Sequence, residues 1–184
     1  EIGYIGFAQR IAFFVYRYVV DSVTKVTFSA YSRAQHDLSF LRKAIEKSLF
    51  FVSASIFPLL LGLIVVSPYL ISFFPKWYNK WEPAVFSIVF FCLNAAVSSL
   101  SGILVNVLDA TGKVKVTLRL MVIWTVLIWV LTPLFIHFYG YNGVSVASFL
   151  VTMTITYTIL LVKKIVNFNF IASIIKPLIS SLLM

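Results

Sequence analysis

The apolar residues of this chain come in runs long enough to cross a bilayer, separated by short polar connections. A hydrocarbon core about 30 Å thick takes about 20 apolar residues of helix, or about 10 residues of tilted strand. Stretches at 4–30, 48–74, 84–108, 116–138 and 144–162 fit the helical length, and a sixth begins near Phe168. In lipid only helices and closed barrels satisfy every backbone group. The runs are too long and too evenly apolar for barrel strands, which alternate. Composition agrees: 61% of residues are hydrophobic and 11% charged, against about a quarter charged in a soluble domain. Mean hydropathy is +1.00. The expected fold is all-α, a polytopic transmembrane bundle of about five full spans and a partial sixth. It forms a single membrane domain over 1–184, surrounded by membrane lipids. The chain starts at Glu1 without a methionine and stops at Met184 within an apolar run, so it is expected to be a fragment of a longer transporter-like protein.

The net charge is +9, but nucleic acid is not the expected partner, because most Lys and Arg sit between apolar runs, where topology signals belong. The 31–47 linker holds Arg33, Arg42, Lys43 and Lys47. Lys113, Lys115 and Arg119 lie at the next connection on that side, and Lys163 and Lys164 at the last. The opposite side has only Lys76 and Lys80. Nine basic residues against two predict that 31–47, 109–115 and 163–167 face the cytoplasm of a multi-pass inner-membrane protein. Trp77, Tyr78, Trp81, Tyr139 and Tyr141 on the other side form the expected aromatic belt. Within the linker, Leu38, Leu41, Ile45 and Leu49 recur at helical spacing. The expectation is an interfacial amphipathic helix over 31–47, N-capped by Asp37. Pro58 is expected to bend the second span, and Gly62 to admit a close neighbour.

The first stretch is the most polar. Arg10, Arg17, Asp21 and Lys25 follow one another by seven, four and four residues. At about 100° per residue they fall within about 80° of one another. Arg17 lies about 20 Å into the span at about 1.5 Å per residue. A mid-bilayer charge costs about 2.5–3.5 kcal/mol, so the stripe must face protein or a water-filled cavity. Two readings are open. Asp21 can pair with Arg17 and Lys25 at i±4 and make the stripe structural. Alternatively, three cations against one carboxylate form an anion-binding wall, for which Arg is well shaped toward phosphate oxygens.

The faces Ala95, Ser98, Ser99, Gly102, Asn106, Asp109 and Ser145, Ser148, Thr152, Thr156 read mainly as tight helix packing, with cavity lining as the alternative. Gly143 and Ala147 form a small-xxx-small pair. His36 and His137 fall on opposite membrane sides and cannot share a metal. Cys92 has no partner for a disulfide or metal site. No Ser/His/acid grouping and no Gly-rich phosphate loop is legible. No catalytic residue, no metal ligand and no cofactor is expected, and the chain is read as a transporter, not an enzyme.

The order of these features resembles the polysaccharide (O-antigen, repeat-unit) flippase branch of the multidrug/oligosaccharidyl-lipid/polysaccharide exporter superfamily. Gly3-Tyr4 with Ala8 and Arg10 is similar to the start of the family's C-terminal lobe. Ser29-Ala30-Tyr31-Ser32-Arg33 is similar to the end of the same helix, with Ser29 where the family usually has proline. Phe57-Pro58 with Gly62-Leu63, Phe74-Pro75-Lys76-Trp77, Asn106 through Lys113, and Tyr139-Gly140 with Gly143 and Ala147 follow in the family's order. The resemblance spans Gly3 to about Lys164. It implies one lobe of a two-lobe transporter, whose missing N-terminal lobe is a partner. It implies flipping of an undecaprenyl-diphosphate-linked oligosaccharide by alternating access, with Arg10 and Arg17 attracting the diphosphate, Asp21 tuning them and Lys25 extending the path. Rival readings are a peptidoglycan-precursor flippase or drug exporter of the same superfamily, a membrane enzyme of glycan assembly, or a structural membrane subunit. A drug exporter favours acids over bases in its cavity. A glycan-assembly enzyme relies on large outer loops, and those expected here are about nine and five residues long.

Overall fold

The computed structural model describes residues 2–35, 37–73 and 84–182. Every regular element among them is helical. Helix α1 is Ile2–Ala34, α2 Leu38–Phe73, α3 Ala84–Ala110 and α4 Val114–Tyr139. A 3-10 turn, Gly140–Asn142, leads into α5, Gly143–Thr152; α6, Ile155–Lys163, and α7, Phe170–Leu182, complete the described chain. The Trp77 end of the aromatic belt, the loop lysines and His36 lie outside the described residues.

Three stretches are long and apolar enough to cross a membrane: Leu38–Tyr69, Ala84–Ala110 and Val114–Lys163. The last is 50 residues long and is a hairpin rather than one rod. The Trp124 indole N–H donates to Thr154 Oγ1 at 2.8 Å, two residues equally far from the turn at Tyr139. Gly140 takes a positive φ of 58°, which only glycine adopts freely. At Gly143 a side chain would collide with the Phe135 backbone, so the hairpin closes only over a glycine. Gly143 and Ala147 are both buried, as a small-residue packing pair requires. Helix α1 has 33 residues, also enough to span at about 1.5 Å per residue, but its charges keep it out of the apolar set. The chain is a helical membrane protein.

Helix α3 is the centre of the bundle. It packs against α1, α2, α4, α5 and α6, and 16 of its 27 residues are buried. In α4 only Thr117 and Leu120 are buried. Its exposed side chains, among them Val122, Trp129 and Val130, are apolar, as a lipid-facing helix requires. The long-range hydrogen bonds set the helix directions. Asn106 Nδ2 donates to Thr24 O and Thr27 Oγ1, while Gly102 lies against Tyr16 and Val20, so α1 and α3 run parallel. Ser87 donates to Asn142 and Thr152 to Asn94, so α5 runs parallel to α3. The Tyr4 and Tyr141 rings meet at 6.0 Å, putting the start of α1 and the α4–α5 turn at one end. The opposite end gathers the α1–α2 connection and residues 163–169, where Glu46 Oε1 accepts the Asn169 N–H at 2.9 Å and Arg42 Nε at 3.0 Å.

Three sequence expectations need correction. The 31–47 stretch is not a separate interfacial helix: residues 31–34 finish α1, and Leu38 onward is continuous with the span. Three of the four residues of the predicted apolar face, Leu41, Ile45 and Leu49, are fully buried in the bundle core, whereas Leu38 at the start of the helix is exposed; the pull of that core extends the helix into the connection. Asp37 does cap it, its Oδ1 accepting the Ser39 and Phe40 N–H groups. Those bonds hold the carboxyl below its ordinary range, so the cap weakens only when acid protonates it. Gly62 meets nothing within 4 Å where a side chain would stand, so it admits no neighbour from this chain. The 144–162 helix is broken at Met153–Thr154. There Thr152, Thr154 and Thr156 hydroxyls bond back to the carbonyls of Ser148, Val151 and Met153. Such bonds compete with the helical ladder, and the backbone tightens to i→i+3 bonds at Thr154 and Tyr157. Helix α2, in contrast, runs on through Pro58 and Pro68.

Candidate functional site

Helix α1 has two faces. Ala8, Ala12 and Val20 are buried, and Val15 and Val19 pack against the core. Arg10, Arg17, Asp21 and Lys25 are all exposed. Among the described residues the one ion pair is Arg42–Glu46, so Asp21 pairs with neither Arg17 nor Lys25. The internal-pairing reading of the stripe has no support in the geometry. Arg10 and Arg17 instead line a groove of about 870 Å³ together with Gln9, Phe13, Phe14 and Tyr18. Asp21 and Lys25 continue the stripe beyond it. All the groove's lining residues belong to α1, so within this chain the groove has a floor and no opposite wall.

A second concavity, of about 430 Å³, lies between α1, α3, α4 and α5. The sequence pattern read its residues mostly as packing. Ser99 and Asn106 do pack, both being buried, and Ser145 is fully buried. Ser98, Gly102, Ser148 and Thr152 line the cleft instead. Asn94 joins them, accepting hydrogen bonds from Ser98 Oγ at 2.9 Å and Thr152 Oγ1 at 2.6 Å. Asn94 is not singled out by the sequence reading. The signal that finds it is the set 94, 98, 101, 102 and 105, a helical face one residue round from the face at 95, 99 and 106.

The cationic groove and its helix fall in a segment that a family model matches. Residues 1–86 match the polysaccharide biosynthesis protein family. No curated protein and no solved structure matches the chain. The matched segment covers α1, α2 and the first residues of α3, and so includes Arg10, Arg17, Asp21 and Lys25. The match is confined to this segment, and it agrees with the resemblance carried by the motifs there.

Proposed function

We propose that this chain is one lobe of a transporter that flips an undecaprenyl-diphosphate-linked oligosaccharide repeat unit across the inner membrane by alternating access, and that it carries out no chemistry on its cargo. One observation carries the reading: two arginines share an open groove on a membrane helix, with no acidic partner among the described residues. Uncompensated cations inside a bilayer are costly and mark substrate paths. A guanidinium fork matches phosphate oxygens in pairs. Arg10 and Arg17 hold the diphosphate, Asp21 moderates the field, and Lys25 extends the path toward the cytoplasm. The missing N-terminal lobe supplies the opposite wall. The basic connections at 31–47, 109–115 and 163–167 face the cytoplasm by the charge bias.

Binding separates this reading from its rivals. Full-length protein in lipid nanodiscs should bind undecaprenyl diphosphate about tenfold or more tightly than undecaprenol, from charge-assisted hydrogen bonds alone. Combining Arg10→Ala with Arg17→Ala should remove the preference. Equal binding of the two lipids by the wild-type protein would rule out a diphosphate site.

A further inference from the structure

The cationic groove leaves the cleft between α1, α3, α4 and α5 unexplained. Its volume of about 430 Å³ is that of a small-molecule site, and its lining contains no charged residue. What it offers is neutral hydrogen-bonding capacity. Asn94 is 6% exposed, and its side-chain oxygen is used twice, by Ser98 and Thr152. Its amide nitrogen has no partner among the described residues, and it is not among the fully buried unsatisfied atoms, so it borders open space. Exchanging the amide's nitrogen and oxygen changes the argument little, because the two hydroxyls still occupy one atom and leave the other free. The Tyr16 and Ser101 hydroxyls and the Gln9 amide also line the cleft, and none makes a side-chain hydrogen bond to a described residue. Asn94 and Ser101 are nearly buried and buried polar groups in native proteins find partners, so their open hydrogen-bonding capacity, continued by the part-exposed Tyr16 and the exposed Gln9, points to a ligand that supplies it.

The remaining walls are apolar, with Val105, Ile128 and Val151 beside two aromatic rings. Phe13 and Trp124 line the cleft, and the indole N–H is already held by Thr154, which fixes the ring's position. Free amides and hydroxyls beside aromatic faces suit a sugar: ring hydroxyls and acetamido groups take the hydrogen bonds, and the C–H face of the pyranose lies on the rings. An anion finds no countercharge here. Gln9 and Phe13 line both the cleft and the cationic groove, so the two sites share a wall. We infer that the cleft at Asn94 is a sugar subsite, receiving the glycan end of a lipid-linked cargo whose diphosphate rests on Arg10 and Arg17. The inference rests on the transport reading above for its cargo, while the site itself is defined by its own residues.

The test compares three probes on full-length protein in nanodiscs: undecaprenyl diphosphate, and the same lipid carrying one hexose or one N-acetylhexosamine. The wild type should bind at least one glycosylated probe about tenfold more tightly than the bare lipid, from a few neutral hydrogen bonds. Asn94→Ala and the near-isosteric Tyr16→Phe should erase most of that gain while leaving the affinity for the bare lipid unchanged. Equal wild-type affinity for all three probes would overturn the subsite. So would a parallel loss of bare-lipid binding in both variants, which would make the cleft a packing feature. If undecaprenyl diphosphate binds no better than undecaprenol in the two-lipid comparison proposed for the transport reading, while a glycosylated probe still depends on Asn94, the groove reading fails and the subsite stands.

Discussion

Arg17→Ala in the full-length protein is expected to lower export of surface polysaccharide by about tenfold or more at normal membrane abundance, since a charge-assisted hydrogen bond contributes about 1.5–3 kcal/mol. Arg17→Lys should fall between that variant and the wild type: the charge remains, but the forked geometry that engages two phosphate oxygens is lost. A second route to lost export is an Asp21 stranded by the removal of Arg17. The structure argues otherwise, because Asp21 is exposed and forms no ion pair among the described residues. Adding Asp21→Asn to Arg17→Ala should therefore leave membrane abundance normal and export low. The readout is complementation of a strain lacking its repeat-unit exporter, normalised to protein in the membrane. Wild-type export by Arg17→Ala, or rescue by the second change, would contradict the binding role.

The second large effect concerns what covers the exposed faces. Tyr18 on α1 is 71% exposed and Trp129 on α4 is 75% exposed, so accessibility within this chain does not separate them. Their neighbours do. Tyr18 shares its groove with Arg10 and Arg17, whereas Trp129 sits among Val122, Val126 and Val130, all exposed and apolar. On the transport reading the first face lies against a water-filled cavity and the second against lipid. Thiol reagents attack the thiolate, which requires water. In a Cys92→Ser background of the full-length protein, Tyr18→Cys should react with a charged thiosulfonate on the order of tenfold or more faster than Trp129→Cys. Undecaprenyl diphosphate should slow the reaction at position 18 alone. Equal rates, or faster labelling at position 129, would show that the stripe is not lining a wet cavity.

The sequence disclosed these features unevenly, for physical reasons. Span-length apolar runs leave lipid-borne helices as the main option, so α2, α3 and α4 were legible directly. The charged stripe of α1 was equally legible, because four charges at helical spacing in a membrane segment have few places to go. Two boundaries were not. The 31–47 helix merges with α2 because Leu41, Ile45 and Leu49 are buried by tertiary packing, which a surface-helix pattern does not reveal. The break at Met153–Thr154 depends on three threonine hydroxyls turning back on the backbone, and threonines in the same spacing can equally face a neighbour. The cleft was the least legible part. Small polar residues on a membrane helix serve packing and ligand binding alike, and only the three-dimensional arrangement separates Ser99, which packs, from Ser98, which meets Asn94. The acid–base balance of the stripe was readable as composition, but its lack of internal pairing emerged only from the geometry around Asp21.

The most direct test of the transport reading is reconstitution of the full-length protein in liposomes with a fluorescent undecaprenyl-diphosphate-linked sugar confined at first to one leaflet. The protein should speed the appearance of probe in the other leaflet, combining Arg10→Ala with Arg17→Ala should abolish the acceleration, and the recovered lipid should be chemically unchanged. A leaflet distribution unaffected by active, correctly folded protein, or recovery of a lengthened or transferred glycan, would contradict the transport reading.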